Sequence, residues 1–400
     1  MSDLCPHFGE CGGCRSQDVP YDEQLARKSA VLQHLFSPFW QDPIPVEPSP
    51  LIWRYRNKVD FSFSRKFYPE PPPKDFDRES VLGFKTKGRW FRPLDILECR
   101  IGPEGLDPLL ASVREWMLSQ RLDAFDSRTR KGFLRALLVR EGKRTGQRMV
   151  ALITTDGEFD RDSFVAAVLG SYPATSIHRG IFRGLADVTT AEETELLFGT
   201  PTIDECLHVP EAAGPARELR FRLSPFSFFQ TNTLGAEILY GMIRAWVKKI
   251  GPRVLYDLYG GTGGIAFSCS DQVSEVFSVE SVTSATEDGI HNAGLNGIGN
   301  VHFTTAKVEA HLKTLLEAGG LPADSAAVVD PPRAGMHPKG LRRLIELRPA
   351  NVMYVSCKPS VFATELPAFL EAYHLTRLHA VDLFPHTDHV ELMATLALAD

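Results

Sequence analysis

Cys357 closes an apolar run, Val352-Met353-Tyr354-Val355-Ser356, downstream of a second apolar run that ends in Asp330-Pro331-Pro332-Arg333. In an open parallel sheet, ligands and reactive groups collect beyond the carboxyl ends of the strands, so this pairing points to a thiolate beside a cofactor pocket. Taken alone, Cys357 would read as a small buried hydrophobe, because unpaired cysteine is among the most buried residue types. The neighbouring motifs change that reading. Arg253–Leu258 reads as a buried strand and leads into Tyr259-Gly260-Gly261-Thr262-Gly263-Gly264 and an apolar helix start at Ile265. Glycines there let the backbone approach a ligand, and the helix start offers unpaired N–H groups. The next apolar run, Val276–Val279, ends in Glu280, at the spacing where an acidic side chain meets ribose hydroxyls.

The turn lacks the G-x-G-x-x-G spacing of dinucleotide binders, and no Gly-Lys-Ser/Thr phosphate loop occurs in the chain. S-adenosylmethionine therefore fits better than NAD or ATP, since it carries an adenosine and a sulfonium-bearing amino acid but no phosphate. Amino-directed adenine methyltransferases carry an aromatic residue after the two prolines, to stack on a flipped base. Arg333 stands in that place here, which favours methylation at carbon.

Five segments of the C-terminal half resemble, in order and spacing, the RNA uracil-C5 methyltransferase family. They are Ser227–Asn232, Asp257–Gly263, Asp330–Gly335, Val355–Pro359 and His389–Glu391. In the N-terminal half the resemblance continues through Cys5–Cys14, Tyr55–Phe63 and Leu97–Cys99. It implies that Gln230, Tyr259, Glu280 and Asp330 contact S-adenosylmethionine. Uracil C5 is a poor nucleophile toward a methyl sulfonium, and addition of a thiolate at C6 makes the ring an enolate with electron density at C5. Cys357 is the expected nucleophile. Glu391 is the expected base that removes the C5 proton before the thiolate is expelled, and its apolar surroundings from Val390 to Leu398 would raise its pKa toward neutrality. Two positions depart from the family pattern, Gly260 where Cys is more frequent and Lys358 where Asn is usual; neither removes a reacting group.

Three of the seven cysteines lie at Cys5, Cys11 and Cys14, within a glycine-rich loop, and a fourth is Cys99. Thiolates at such spacing hold iron–sulfur clusters or zinc, and spacing alone does not choose between them. The C-x3-C-x2-C of radical enzymes is absent. The resemblance favours a 4Fe-4S cluster on Cys5, Cys11, Cys14 and Cys99. Methyl transfer from a sulfonium needs no electron carrier, so a structural cluster is expected. Disulfides are disfavoured, because no secretory signal precedes these cysteines. Cys206 and Cys269 read as structural.

The elements that must position these groups imply an α/β fold: a Rossmann-like class I methyltransferase domain, with a β-rich central domain carrying the iron–sulfur cluster. The expected division is residues 1–215, cluster-bearing and RNA-binding, and 216–400, the S-adenosylmethionine-dependent domain. A helix over 21–36 is free to dock on the latter, and the boundary lies in the breaker-rich Pro210–Pro215. Lys58–Phe67 and Val81–Phe91 read as strands flanking the stiff stretch Pro69–Lys74. Formal net charge is -6, yet residues 51–148 hold 22 Lys and Arg against 13 Asp and Glu. Such asymmetry marks an RNA platform better than the total does. Trp53, Tyr55, Phe84, Trp90 and Phe91 are interleaved there as candidates for stacking on unpaired bases. No apolar run is long enough to span a bilayer. A monomer acting in the cytoplasm is expected.

Many family members carry an extra N-terminal β-barrel, for which there is no room before Cys5, and tRNA-directed bacterial members generally lack the cluster cysteines. The resemblance is therefore closest to the short 23S rRNA enzymes, which favours rRNA over tRNA as substrate. The alternatives are a tRNA uracil-C5 methyltransferase and a catalytically silent RNA-binding protein that keeps the fold.

Overall fold

The computed structural model describes residues 4–70, 73, 76, 78–211 and 214–399, with Trp90 described by its backbone alone. Most of the proline stretch at 71–74 and the centre of the expected boundary, Ala212 and Ala213, thus lie outside the described residues. The chain forms two compact units. One comprises Met1–Val19, Leu51–Glu205 and Leu223–Phe226; the other comprises Pro20–Pro50, Cys206–Arg222 and Ser227–Asp400.

In the first unit, period-two alternation produces a half-buried sheet: Val59, Phe61 and Phe63 of Lys58–Arg65 point inward and the residues between them do not. Seven strands assemble in the order Arg89–Asp95, Ser80–Thr86, Lys58–Arg65, Leu134–Glu141, Arg148–Thr154, Ser176–Ile181, Glu193–Gly199. All neighbours are antiparallel except Arg148–Thr154 and Ser176–Ile181, which the helix Arg161–Leu169 joins as a parallel crossover. The expected single strand Val81–Phe91 is a hairpin. Gly88 takes φ +69° in the turn after Lys87, a left-handed conformation that glycine adopts without strain. Helices Leu106–Ser119 and Arg161–Leu169 contribute Leu109, Val113, Trp116, Phe164 and Val168 to the core over this sheet. Tyr55 belongs to that core, so burial removes it from the candidate base-stacking surface; Phe84 is half-buried and stacks on Phe61 at 4.9 Å, and Phe91 remains exposed.

The second unit is built on an eight-stranded sheet. Its order is Val46–Glu47, Tyr373–Val381, Glu391–Leu398, Asn351–Ser356, Ser325–Val329, Val254–Leu258, Glu275–Glu280, Val301–Thr305. Val254–Leu258 and Ser325–Val329 are apolar almost throughout and buried at every residue, as strands covered on both faces must be. Between these two neighbours the order of connection reverses, which opens a crevice at their carboxyl ends. Glu391–Leu398 runs antiparallel to Asn351–Ser356 with Ser356 opposite Leu392. Its first residue therefore lies at the same sheet edge as the last residues of the parallel strands. Helix Tyr21–Phe36 buries Gln24, Lys28, Leu32 and Phe36, a four-residue spacing that lines up one stripe. Leu32 and Phe36 join Phe362 and Leu366 of helix Pro359–Leu370 in this unit's core. Among the described residues no helix is long and apolar enough to cross a membrane.

Candidate active site

Four of the expected site residues follow directly from strand ends: Tyr259 after Val254–Leu258, Glu280 at the end of Glu275–Glu280, Asp330 after Ser325–Val329, and Cys357 after Asn351–Ser356. Gln230 comes from the loop that precedes helix Thr233–Ile250, where Asn232 caps the helix by accepting from Gly235 N. Phe228, Gln230, Tyr259, Gly260, Thr262 and Asp330 line one crevice together with Tyr240. The turn curls around it because Tyr259, Gly261 and Gly263 all take positive φ, at +68°, +54° and +93°. Glu280 holds the curl. Its Oε2 accepts from Gly261 N at 3.2 Å and its Oε1 from Val282 N at 2.8 Å and Ser281 Oγ at 3.1 Å, which leaves Oε2 a lone pair for a further donor such as a ribose hydroxyl.

The electrostatics suit a cationic ligand rather than a phosphate. Among the described residues no Lys or Arg lines this crevice, whereas Asp330 does, with Asp257 behind it. Asp257 is fully buried and accepts from Ala266 N at 3.2 Å and Ser278 Oγ at 3.3 Å. Burial, offset by these two hydrogen bonds, pushes its carboxyl up to about 7, while its other oxygen has no partner. Burial, and then the nearby Asp257, also raise Asp330. A sulfonium and ammonium would relieve this accumulation of acidic groups, so the residues present fit S-adenosylmethionine.

Cys357 and Glu391 adjoin the same acidic end. Glu391 is 2% exposed, and its Oε1 makes no hydrogen bond. Its carboxyl stands well above the ordinary carboxylate range, first through burial and then through Asp330, with Arg333 opposing. The Cys357 thiol is half-buried. Burial raises it, Glu391 and Asp330 raise it further, and the nearby Arg333 guanidinium lowers it. In the sequence Arg333 stands out only by taking the place of an aromatic ring. It is the cation of the site, and its Nη2 also lies 3.1 Å from His389 Nε2. Tyr240, buried next to Asp330, Asp257 and Glu391, was not foreseen either; a tyrosine at four-residue spacing in an apolar helix looks like packing. Lys358 is exposed.

The loop leading to Glu391 is held from the helix Tyr21–Phe36. Lys28 Nζ donates to Asp382 Oδ1 at 2.7 Å and to Phe384 O at 3.2 Å. Gln24 Oε1 accepts from His386 N at 2.9 Å, which stabilises His386 at φ +65°. Both polar residues sit on the buried stripe of the helix, where an amphipathic pattern alone gives no reason for them.

In the first unit, Cys5, Cys11, Cys14 and Cys99 are free thiols that interact electrostatically with one another. Hydrogen bonds bring the loop to its place: Leu97 N donates to His7 Nε2 at 2.9 Å and Lys87 N to Glu10 O at 2.8 Å. Burial pushes Cys14 up to about 11 and Cys99 up to about 12, and the Arg56 guanidinium faces both. Burial raises the thiols of Cys11, Cys14 and Cys99, Cys5 lies near Cys11 and Cys14, and the buried Arg56 cation can balance thiolate charge, a set that fits a thiolate-ligated metal or cluster.

The model of the tRNA (uracil-5-)-methyltransferase family matches residues 184–398. An uncharacterized RNA methyltransferase of Caldanaerobacter subterraneus subsp. tengcongensis is 32% identical, the match covering 98% of this chain and 84% of that one. Another from Clostridium tetani is 31% identical over 99% of this chain and 84% of its own. Among solved structures, the Pyrococcus abyssi tRNA (uracil-54, C5)-methyltransferase in complex with S-adenosyl-L-homocysteine superposes with a TM-score of 0.73 at 27% identity, covering 95% of this chain and 84% of that one. With its glycine turn and acidic crevice at the switch point of a Rossmann-like sheet, the chain belongs to the tRNA (uracil-5-)-methyltransferase family and is an S-adenosylmethionine-dependent RNA methyltransferase.

Proposed function

We propose that the protein methylates C5 of a uridine in RNA through a covalent adduct on Cys357. The observation that carries this reading is the proximity of a half-buried thiol, the Arg333 guanidinium and a buried carboxyl with an unpartnered oxygen. The Cys357 sulfur adds to C6, and the C5–C6 π electrons move into the ring carbonyl as an enolate. C5 then forms its new bond to carbon. S-adenosylmethionine, when bound, supplies an electrophilic methyl group on a positively charged sulfur. Glu391 takes the C5 proton, the C5–C6 double bond re-forms, and the thiolate leaves. Gln230, Tyr259, Glu280 and Asp330 would hold the cofactor, with Glu280 able to accept from its ribose hydroxyls. Arg333 stabilises the thiolate before addition and after elimination.

The alternative of a silent RNA-binding protein has no use for a buried carboxyl beside a thiol. RNA bearing 5-fluorouridine separates the two. Wild type should form a denaturation-resistant adduct, Cys357→Ala should form none, and Glu391→Gln should accumulate a methylated covalent complex with normal uridine RNA. Free turnover by the Glu391 variant would remove it from the base role.

The cluster reading assigns Cys5, Cys11, Cys14 and Cys99 to a structural 4Fe-4S centre, supported by the pairwise proximity of these thiols and the Arg56 counter-charge. The same cysteines support rRNA as substrate through their resemblance to the 23S enzymes. The tRNA reading draws on the solved relative, whose substrate is tRNA. Mapping 5-methyluridine in rRNA and tRNA from a deletion strain distinguishes them by which modification disappears.

A further inference from the structure

Away from the methyl-transfer site, the strands Ile203–Val209 and Arg217–Leu223 pair as a two-stranded ribbon. Alternation turns Leu207 and Val209 inward and leaves Cys206 and His208 on the outer face. On the partner strand Leu219 and Phe221 turn inward and Glu218 outward. The potential ligand atoms of Cys206, His208 and Glu218 all lie within 4.8 Å of one another. We propose that these three side chains bind a zinc-like divalent transition metal, with a fourth coordination position open to water or a small ligand.

The donor set decides the class of ion. A thiolate with an imidazole selects zinc and its neighbours over magnesium or calcium, which take oxygen ligands. Zinc bonds of about 2.0 to 2.3 Å in a tetrahedron place ligand atoms about 3.3 to 3.8 Å apart. Closing the observed group around an ion thus needs about 1.5 Å or less, a side-chain adjustment. The backbone that carries the ligands is already braced by residues that take no part in the site. His208 N donates to Glu237 Oε1 at 2.8 Å, Arg220 N to Asn296 Oδ1 at 2.8 Å, and Arg222 N to Asn292 Oδ1 at 2.8 Å. Such bracing is what a preorganised site requires. Glu218 also meets Arg220 Nε at 3.1 Å, but both side chains are more than half exposed, and a pair of that kind yields readily to a metal. Binding releases the Cys206 thiol proton to solvent as the sulfur–metal bond forms. A metal here would clip the ribbon; it plays no part in methyl transfer.

The full chain, with its N-terminal cysteines loaded with iron and sulfide, is titrated with Co2+ as a spectroscopic probe and with Zn2+ against a chromophoric chelator. Wild type should bind one equivalent more than Cys206→Ser and show a sulfur-to-cobalt charge-transfer band that the variant lacks. Glu218→Gln, at an exposed position that does not burden folding, should weaken binding at least about tenfold. A chain with Ser at positions 5, 11, 14 and 99 should retain the band. Equal stoichiometry and an unchanged band in Cys206→Ser, or wild-type affinity in both Glu218→Gln and His208→Gln, would overturn the site.

Discussion

Arg333 and Gly260 show how single positions set this site. A thiol flanked by Glu391 and Asp330 resists ionisation, and Arg333 is the group that counters them. Removing that cation in Arg333→Ala disfavours the thiolate, so the pH at which it forms moves upward. Because methylation needs the thiolate, the rising acid limb of the kcat/KM profile should shift to higher pH, with Arg333→Lys shifted less. An unmoved limb would assign Arg333 to RNA contact alone. Gly260 departs from the more frequent cysteine, and its neighbours explain why. A Cβ there would collide with Ser278 Oγ and come within 2.8 Å of Asp257 Oδ2, both already joined beneath the turn. Gly260→Ala should therefore weaken S-adenosylhomocysteine binding or stability by about 1 to 3 kcal/mol, and adding Ser278→Gly should restore much of it. Calorimetric titration of the single and double variants measures both.

Helix Tyr21–Phe36 is the element whose contribution to the site is least visible from motifs. Its Lys28–Asp382 pair is 6% and 0% exposed at the side chains, and it anchors the loop that ends in Glu391. Breaking one partner leaves the other charge buried. Lys28→Met should cost about 3 to 5 kcal/mol in chemical denaturation, and Lys28→Met with Asp382→Leu should recover a large part of it. The double variant should still turn over more slowly than wild type, because Phe384 O loses its donor and the loop its anchor. Wild-type turnover in the double variant would make the pair a matter of stability alone.

At the scale of the whole molecule, the proposed cluster and the methyl-donor site lie in separate compact units. A structural cluster should then be separable from cofactor binding. Cys99→Ser should lower the thermal stability of the first unit while S-adenosylhomocysteine affinity stays within about twofold, because each unit packs its own core. A parallel loss of affinity would couple the cluster to the reaction.

The reactive residue types were legible in the chain because the chemistry demands them at strand ends. Buried strands announce themselves as short apolar runs, and Tyr259, Glu280, Asp330 and Cys357 follow such runs directly. Glu391 was legible only through resemblance. It begins an antiparallel strand, so its place beside Cys357 depends on a pairing register that no local pattern carries. Arg333 as thiol partner, Tyr240 against the acidic end, and Lys28 reaching a loop 354 positions away were decided by tertiary structure alone. The same holds for the Val81–Phe91 hairpin, for the burial of Tyr55 and for the stacking of Phe84 on Phe61. Periodicity tells which residues must leave water. It does not tell which partner meets them there, because that choice is made by topology between segments far apart in the chain.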